Sequence, residues 1–172
     1  MERAAERLVR AVEMLDLRPD DRVLEIGCGA GVAVSLVCAR LAGGRMHAID
    51  RSPAMAALAR RRNADQIAAG KVSIHAAALH QAELGEERFD IIFAVDVGLF
   101  RAHRAAEAAA LRRLLAPGGR INLFHHPPVA ARTQRLADET AAALRAEGFV
   151  VREVRIIPLH PVPMACVVAG AD

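Results

Sequence analysis

The apolar run Val23-Leu24-Glu25-Ile26 passes without a spacer into Gly27-Cys28-Gly29-Ala30-Gly31, and residues 32–41 then carry a helical pattern up to Gly43-Gly44. A short buried strand, a glycine turn and a helix in immediate succession open a βαβ unit, whose crossover returns the chain to lay down a parallel neighbour. The alternation recurs. Residues 45–49, 72–75, 89–95 and 120–124 read as strands, residues 52–69, 102–115 and 132–147 as helices, and two β-rich segments follow at 149–157 and 163–169. Upstream, Ala5, Leu8, Val9, Val12 and Leu15 recur at spacings of three and four, predicting an amphipathic helix over 2–16 that ends at Leu17-Arg18-Pro19-Asp20-Asp21. Strands separated by helices of ordinary length predict an α/β fold with a mostly parallel sheet covered on both faces. The length, 172 residues, suits one such domain spanning 1–172.

In a sheet of this kind, ligands bind beyond the carboxyl ends of the strands, close to the point where strand order reverses. That places attention on residues 27–31, 50–52, 76–79, 96–100 and 125–128. Glycines at 27, 29 and 31 let the backbone turn sharply and come close to a ligand. Several phosphate-binding readings fail on residue identity. A P-loop needs a lysine after its glycines, and the only lysine is Lys71. A dinucleotide fingerprint starting at Gly27 or Gly29 needs glycine or alanine where Val32 or Val34 stands.

Composition removes other classes. Hydrophobic residues make up 53% and charged residues 25% of the chain, the balance of a soluble globular protein. Aromatic residues are 3%, with no Trp or Tyr, so the stacking platforms of single-stranded nucleic-acid binders are missing. The formal charge of +3 is spread along the chain, and Arg60-Arg61-Arg62 reads as a solvated helix face, which argues against nucleic acid as a partner. Cys28, Cys38 and Cys166 are odd in number and lack CxxC spacing, so no disulfide framework, zinc site or other metal is expected. The expected location is the reducing cytoplasm, since MERAAERL lacks the apolar core of a signal peptide and no stretch has transmembrane length.

Taken together, four segments resemble the class I S-adenosylmethionine (SAM) dependent methyltransferases. They are the first glycine segment 23–31, Ala48-Ile49-Asp50-Arg51-Ser52-Pro53-Ala54-Met55, Phe89-Asp90-Ile91-Ile92-Phe93-Ala94-Val95-Asp96, and Leu114-Leu115-Ala116-Pro117-Gly118-Gly119-Arg120. The resemblance implies a Rossmann-like, doubly wound sandwich: a seven-stranded, mostly parallel sheet with the last strand antiparallel and helices on both faces. It implies SAM as cofactor, with Glu25, Gly27, Cys28, Gly29 and Gly31 around its methionine part. Asp50 would accept the ribose hydroxyls, and Arg51, Met55, Ala77, Ala78 and Asp96 would complete the cofactor site. The family often places a carboxylate after the third strand for the adenine amino group, whereas this chain has Ala76-Ala77-Ala78. Backbone near Ala78 and packing against Met55 and Leu79 would then hold adenine. Cys28 is read as a small packing residue and not a nucleophile, because no base accompanies it.

Methyl transfer is an in-line displacement that depends heavily on holding donor and acceptor in line, so a dedicated base is optional. Candidates to touch the acceptor or take its proton are Asp96, His125 and His126, with His103 expected on a helix surface. The signature Asn-Pro-Pro-aromatic is absent, because the fourth strand runs into Asp96-Val97-Gly98-Leu99, which argues against adenine-N6 and glutamine methylation. The leading reading is methylation of a small-molecule acceptor, in a pocket walled by the chain's own loops or by the second subunit of a homodimer. RNA or protein methylation and a non-catalytic SAM-binding subunit or sensor are the alternatives.

Overall fold

The computed structural model describes residues 2–171, with side chains from Glu6 onward. Its strands are β1 (Arg22–Ile26), β2 (Arg45–Asp50), β3 (Val72–Ala76), β4 (Phe89–Val95), β5 (Leu115–His125), β6 (Val150–Ile157) and β7 (Met164–Gly170). They form one sheet in the order β3-β2-β1-β4-β5-β7-β6. The pairs β1/β2, β2/β3, β1/β4 and β4/β5 are parallel, whereas β7 runs antiparallel to both β5 and β6. The sheet grows outward from β1 in one direction and then, from β4, in the other. The crevice at the carboxyl ends of β1 and β4 is therefore the switch point where such sheets bind ligands.

The helices are α1 (Glu2–Glu13), α2 (Val32–Cys38), α3 (Pro53–Arg62), α4 (Ala64–Ala68), α5 (Arg104–Leu114) and α6 (Thr133–Ala146). Alternate strand residues point to opposite faces of the sheet, and both faces are covered. Val23, Ile91 and Phe93 pack with Val12 of α1, Val34 and Val37 of α2 and Ala59 of α3. On the other face, Leu24 and Ile92 pack with Leu111 and Leu114 of α5 and Ala141 and Leu144 of α6. This is why the central strands read as unbroken apolar runs. Of the apolar positions expected in the first helix, Ala5 lies outside the described side chains, while Val12 in α1 and Leu15 just beyond its end are buried.

Several boundaries differ from expectation, among them the second helix, which ends at Cys38 and not at Leu41. The helix expected over 52–69 breaks at Asn63 into α3 and α4. The buried Asn63 side chain donates from Nδ2 to the carbonyls of Gly31 (3.0 Å) and Ala59 (2.9 Å), and its Oδ1 accepts from Ser35 Oγ at 2.7 Å. An asparagine that satisfies neighbouring backbone in this way competes with helix continuation. The first helix stops at Glu13, and the Arg120 guanidinium donates to the carbonyls of Leu15 and Asp16 beyond it. Finally, β5 starts at Leu115 and not at Arg120. Its register with β4 jumps from Phe89↔Leu115 to Ile91↔Arg120, so residues 116–119 bulge from the ladder. Gly119 permits this because a Cβ there would lie 2.9 Å from the Ala116 carbonyl oxygen.

Candidate active site

At the switch point the turn after β1 is built from left-handed glycines, with φ of 74° at Gly27, 52° at Gly29 and 76° at Gly31. L side chains rarely adopt such values. A Cβ on Gly27 would fall 2.4 Å from Val97 Cγ2, and one on Gly31 would fall 2.6 Å from Asn63 Nδ2 and 2.9 Å from the Ala59 Cα. Around Gly29, by contrast, a Cβ would meet nothing within 4 Å, so the middle of the turn faces open space.

Asp50, the last residue of β2, holds this turn. Its Oδ2 accepts the Gly29 amide at 2.8 Å and its Oδ1 accepts the Ser52 amide at 2.9 Å. A carboxylate offers about four acceptor positions, so about two remain unused. Ser52 in turn caps α3 by accepting the Met55 amide. Behind the turn, Glu25 is 2% exposed and its Oε2 has no hydrogen-bond partner. Burial, aided by the neighbouring Asp50 charge, pushes its carboxyl up to about 8, so it stays protonated at neutral pH. Burial also pushes the Cys28 thiol up to about 12, which suits packing and not nucleophilic attack.

Two cavities open at this edge. The first, about 730 Å³, is lined by Gly27, Asp50, Arg51, Ala77, Ala78 and Asp96 among others. Leu79 and His80, on a 3-10 turn at Leu79–Gln81, also line it. Glu25, Cys28, Gly29, Gly31 and Met55 are not part of its wall; Met55 is 37% exposed. The second, about 880 Å³, lies against His125, His126, Thr140 and the arginines 101, 104, 132 and 135. Asp96, Val97, Gly98, Leu99 and Arg101 line both.

Asp96 stands at this shared wall with a φ of 57°, uncommon for a non-glycine residue. Its Oδ2 accepts from Arg7 Nε at 3.0 Å, its Oδ1 accepts the His126 amide at 2.6 Å, and its own amide donates to the Phe124 carbonyl. The carboxylate thus ties α1, the end of β4 and the end of β5 together. His126 donates from Nε2 to the Val162 carbonyl (3.0 Å), since a carbonyl can only accept. His125 pairs its Nε2 with Thr140 Oγ1 at 2.8 Å, and burial lowers its pKa, which keeps the ring neutral at neutral pH. Asp96 pulls that value up and Arg101 pushes it down.

His103, expected on a helix surface, is exposed at the N-terminal edge of α5. It precedes α5 and faces the first cavity, where its ring lies 4.2 Å from that of His80, centroid to centroid. The buried Nδ1 of His80 has no hydrogen-bond partner. His80, Asn63, Arg101 and Arg132 were not singled out from the sequence. Arg101 and His80 each lie one residue beyond a segment marked by its place after a strand end, 96–100 and 76–79, and nothing in the local pattern marks Asn63 or Arg132. Among the described residues no three His, Cys, Asp or Glu side chains gather as metal ligands, and no helix is long and apolar enough to cross a membrane.

Residues 23–119 match a family described as "Methyltransferase domain", more than half of the chain. The chain belongs to the class I SAM-dependent methyltransferases. It is 36% identical over 117 residues to a protein-L-isoaspartate O-methyltransferase of Methylorubrum populi, an alignment covering 68% of this chain and 50% of that protein. It is 33% identical over 123 residues to a trans-aconitate 2-methyltransferase of Methylobacterium nodulans, covering 67% and 43%. The chain thus spans half or less of the length of these relatives. Among solved structures, the glycopeptide N-methyltransferase MtfA shares the fold with a TM-score of 0.79 at 17% identity, over 98% of this chain and 90% of that one. The first cavity has a donor and acceptor set of the kind the family's cofactor needs: unused acceptor positions on Asp50 and an unpaired His80 nitrogen, beside the apolar Leu79 and Leu99.

Proposed function

We propose that this methyltransferase moves a methyl group from SAM to a small-molecule acceptor, with the cofactor in the first cavity and the acceptor in the second. The observation that carries the reading is the shared wall: residues 96–99 and Arg101 line both spaces, so the two ligands would meet across it. SAM, when bound, supplies a methyl group on a sulfonium that is already activated for displacement. The chain's own residues then have the task of holding donor and acceptor in line. Asp50 would accept the ribose hydroxyls with its unused oxygen positions while keeping the glycine turn in place. Arg51, Ala77, Ala78 and His80 would surround the adenosine, with the His80 nitrogen at the side where the Ala76-Ala77-Ala78 stretch offers no carboxylate. Asp96 would hold the wall between the cavities, and His125, neutral and in contact with Thr140, is in the form that accepts a proton from a hydroxyl or amine acceptor.

One relative is named for a small molecule, trans-aconitate, which supports a small acceptor. A cytosolic setting is supported by three free, buried cysteines. The test is calorimetric titration with SAM and S-adenosylhomocysteine, followed by transfer of labelled methyl groups from SAM to separated small-molecule, protein and RNA fractions. We expect cofactor binding and label in the small-molecule fraction. Label confined to RNA or protein would reassign the acceptor, and binding without any transfer would favour a sensor.

A further inference from the structure

We propose that the acceptor carries an anionic group, a carboxylate or a phosphate, which Arg101 and Arg132 grip inside the second cavity. This rests on reading that cavity as the acceptor site. Four guanidinium-bearing residues line it, and they come from separate segments: Arg101 follows β4, Arg104 opens α5, and Arg132 and Arg135 stand at the start of α6. Two of them have carboxylate neighbours, Arg104 with Glu147 at 3.9 Å and Arg135 with Glu139 at 2.7 Å. Arg101 and Arg132 enter no ion pair or side-chain hydrogen bond among the described residues.

The acidic groups on the same wall do not balance them. Asp96 is engaged by Arg7 and by the His126 amide, and Glu139 by Arg135. His125 is kept neutral by burial. A single unpaired arginine on an open surface calls for no partner beyond water. Two unpaired arginines lining one concave space each present a guanidinium fork suited to a planar carboxylate or to phosphate oxygens. Arg101 lines both cavities, so an anion on it would sit at their junction, whereas Arg132 lines only the second.

The test uses the full chain saturated with S-adenosylhomocysteine and two pairs of probes: succinate against succinamide, and glycerol 3-phosphate against glycerol. Binding is read by calorimetry and by the nitrogen and carbon resonances of His125 and His126. The expected result is preference for the charged member of at least one pair. The pair that responds identifies carboxylate or phosphate as the group. Arg132→Gln should weaken that probe by roughly ten- to a hundredfold, the cost of one lost charge-assisted contact, with Arg132→Lys intermediate and Arg61→Gln, on the exposed face of α3, unchanged. Equal response to charged and neutral probes, or full binding by Arg132→Gln and Arg101→Gln, overturns the proposal. Failure of S-adenosylhomocysteine to bind would instead overturn the cofactor assignment, so the two failures are distinct.

Discussion

Asp50 Oδ2 accepts the amide proton of Gly29 at 2.8 Å, so the acidic side chain at the end of β2 is also the clamp on the glycine turn after β1. The two parts of the candidate cofactor site are therefore mechanically one. With Asp50 as the proposed ribose acceptor, Asp50→Ala loses that contact and releases the turn together, and should weaken SAM by about 1.5–3 kcal/mol, the usual cost of a lost charged hydrogen bond. Asp50→Asn keeps one acceptor oxygen and should fall between the two proteins. Calorimetry with SAM, with melting of the cofactor-free protein alongside, separates the effects: an affinity loss with no change in melting would mean that the clamp contributes nothing.

The glycines at 27 and 31 respond differently to a methyl group. Both carry a left-handed φ, which costs a non-glycine residue on the order of 1–3 kcal/mol. Gly27→Ala adds a clash with the Val97 side chain, which Val97→Ala would relieve in part. Gly31→Ala adds contacts with the Ala59 backbone and the bonded Asn63 amide, which have nowhere to go. Chemical denaturation should show partial rescue of Gly27→Ala by Val97→Ala. Gly31→Ala should remain among the most destabilised single variants with or without that change.

Asn63→Ala should cost about 1–3 kcal/mol, because it removes three buried hydrogen bonds, two to the Gly31 and Ala59 carbonyls and one from the Ser35 hydroxyl, while both carbonyls keep a backbone amide donor. A variant within experimental error of the parent in urea denaturation would remove Asn63 from its place as the link between α2, α3 and the turn.

Asn63 also shows where the sequence stops being legible. The βαβ order, the parallel sheet and the glycine turn are local: each follows from apolar runs, glycine spacing and helix stops within a few residues. Asp50 was visible because it ends a strand opposite that turn. Asn63 acts on Gly31, thirty-two residues away, and a helical pattern continues on both sides of it, so nothing local marks the break. His80, Arg101 and Arg132 gain their place from three loops converging at one edge of the sheet. Their residue types alone read as ordinary polar surface. The glycine turn and Asp50 of the candidate cofactor site are thus written in contiguous motifs, while the second cavity and His80 of the first are written in tertiary structure.

Glu25 should make stability depend on pH. Its carboxyl sits at about 8 in the folded protein against 4.5 when solvated, and the first cause is burial. Between those values the folded protein holds a proton that the unfolded chain has released, so unfolding releases it and stability falls as pH rises. The contribution is complete below 4.5 and gone once pH passes about 8. Glu25→Gln keeps the shape and cannot ionise, so it should match the parent at the acidic end of this window and exceed it increasingly toward the alkaline end. Urea midpoints measured across the window check this. Parallel curves for the two proteins would show that Glu25 is not held protonated by its surroundings.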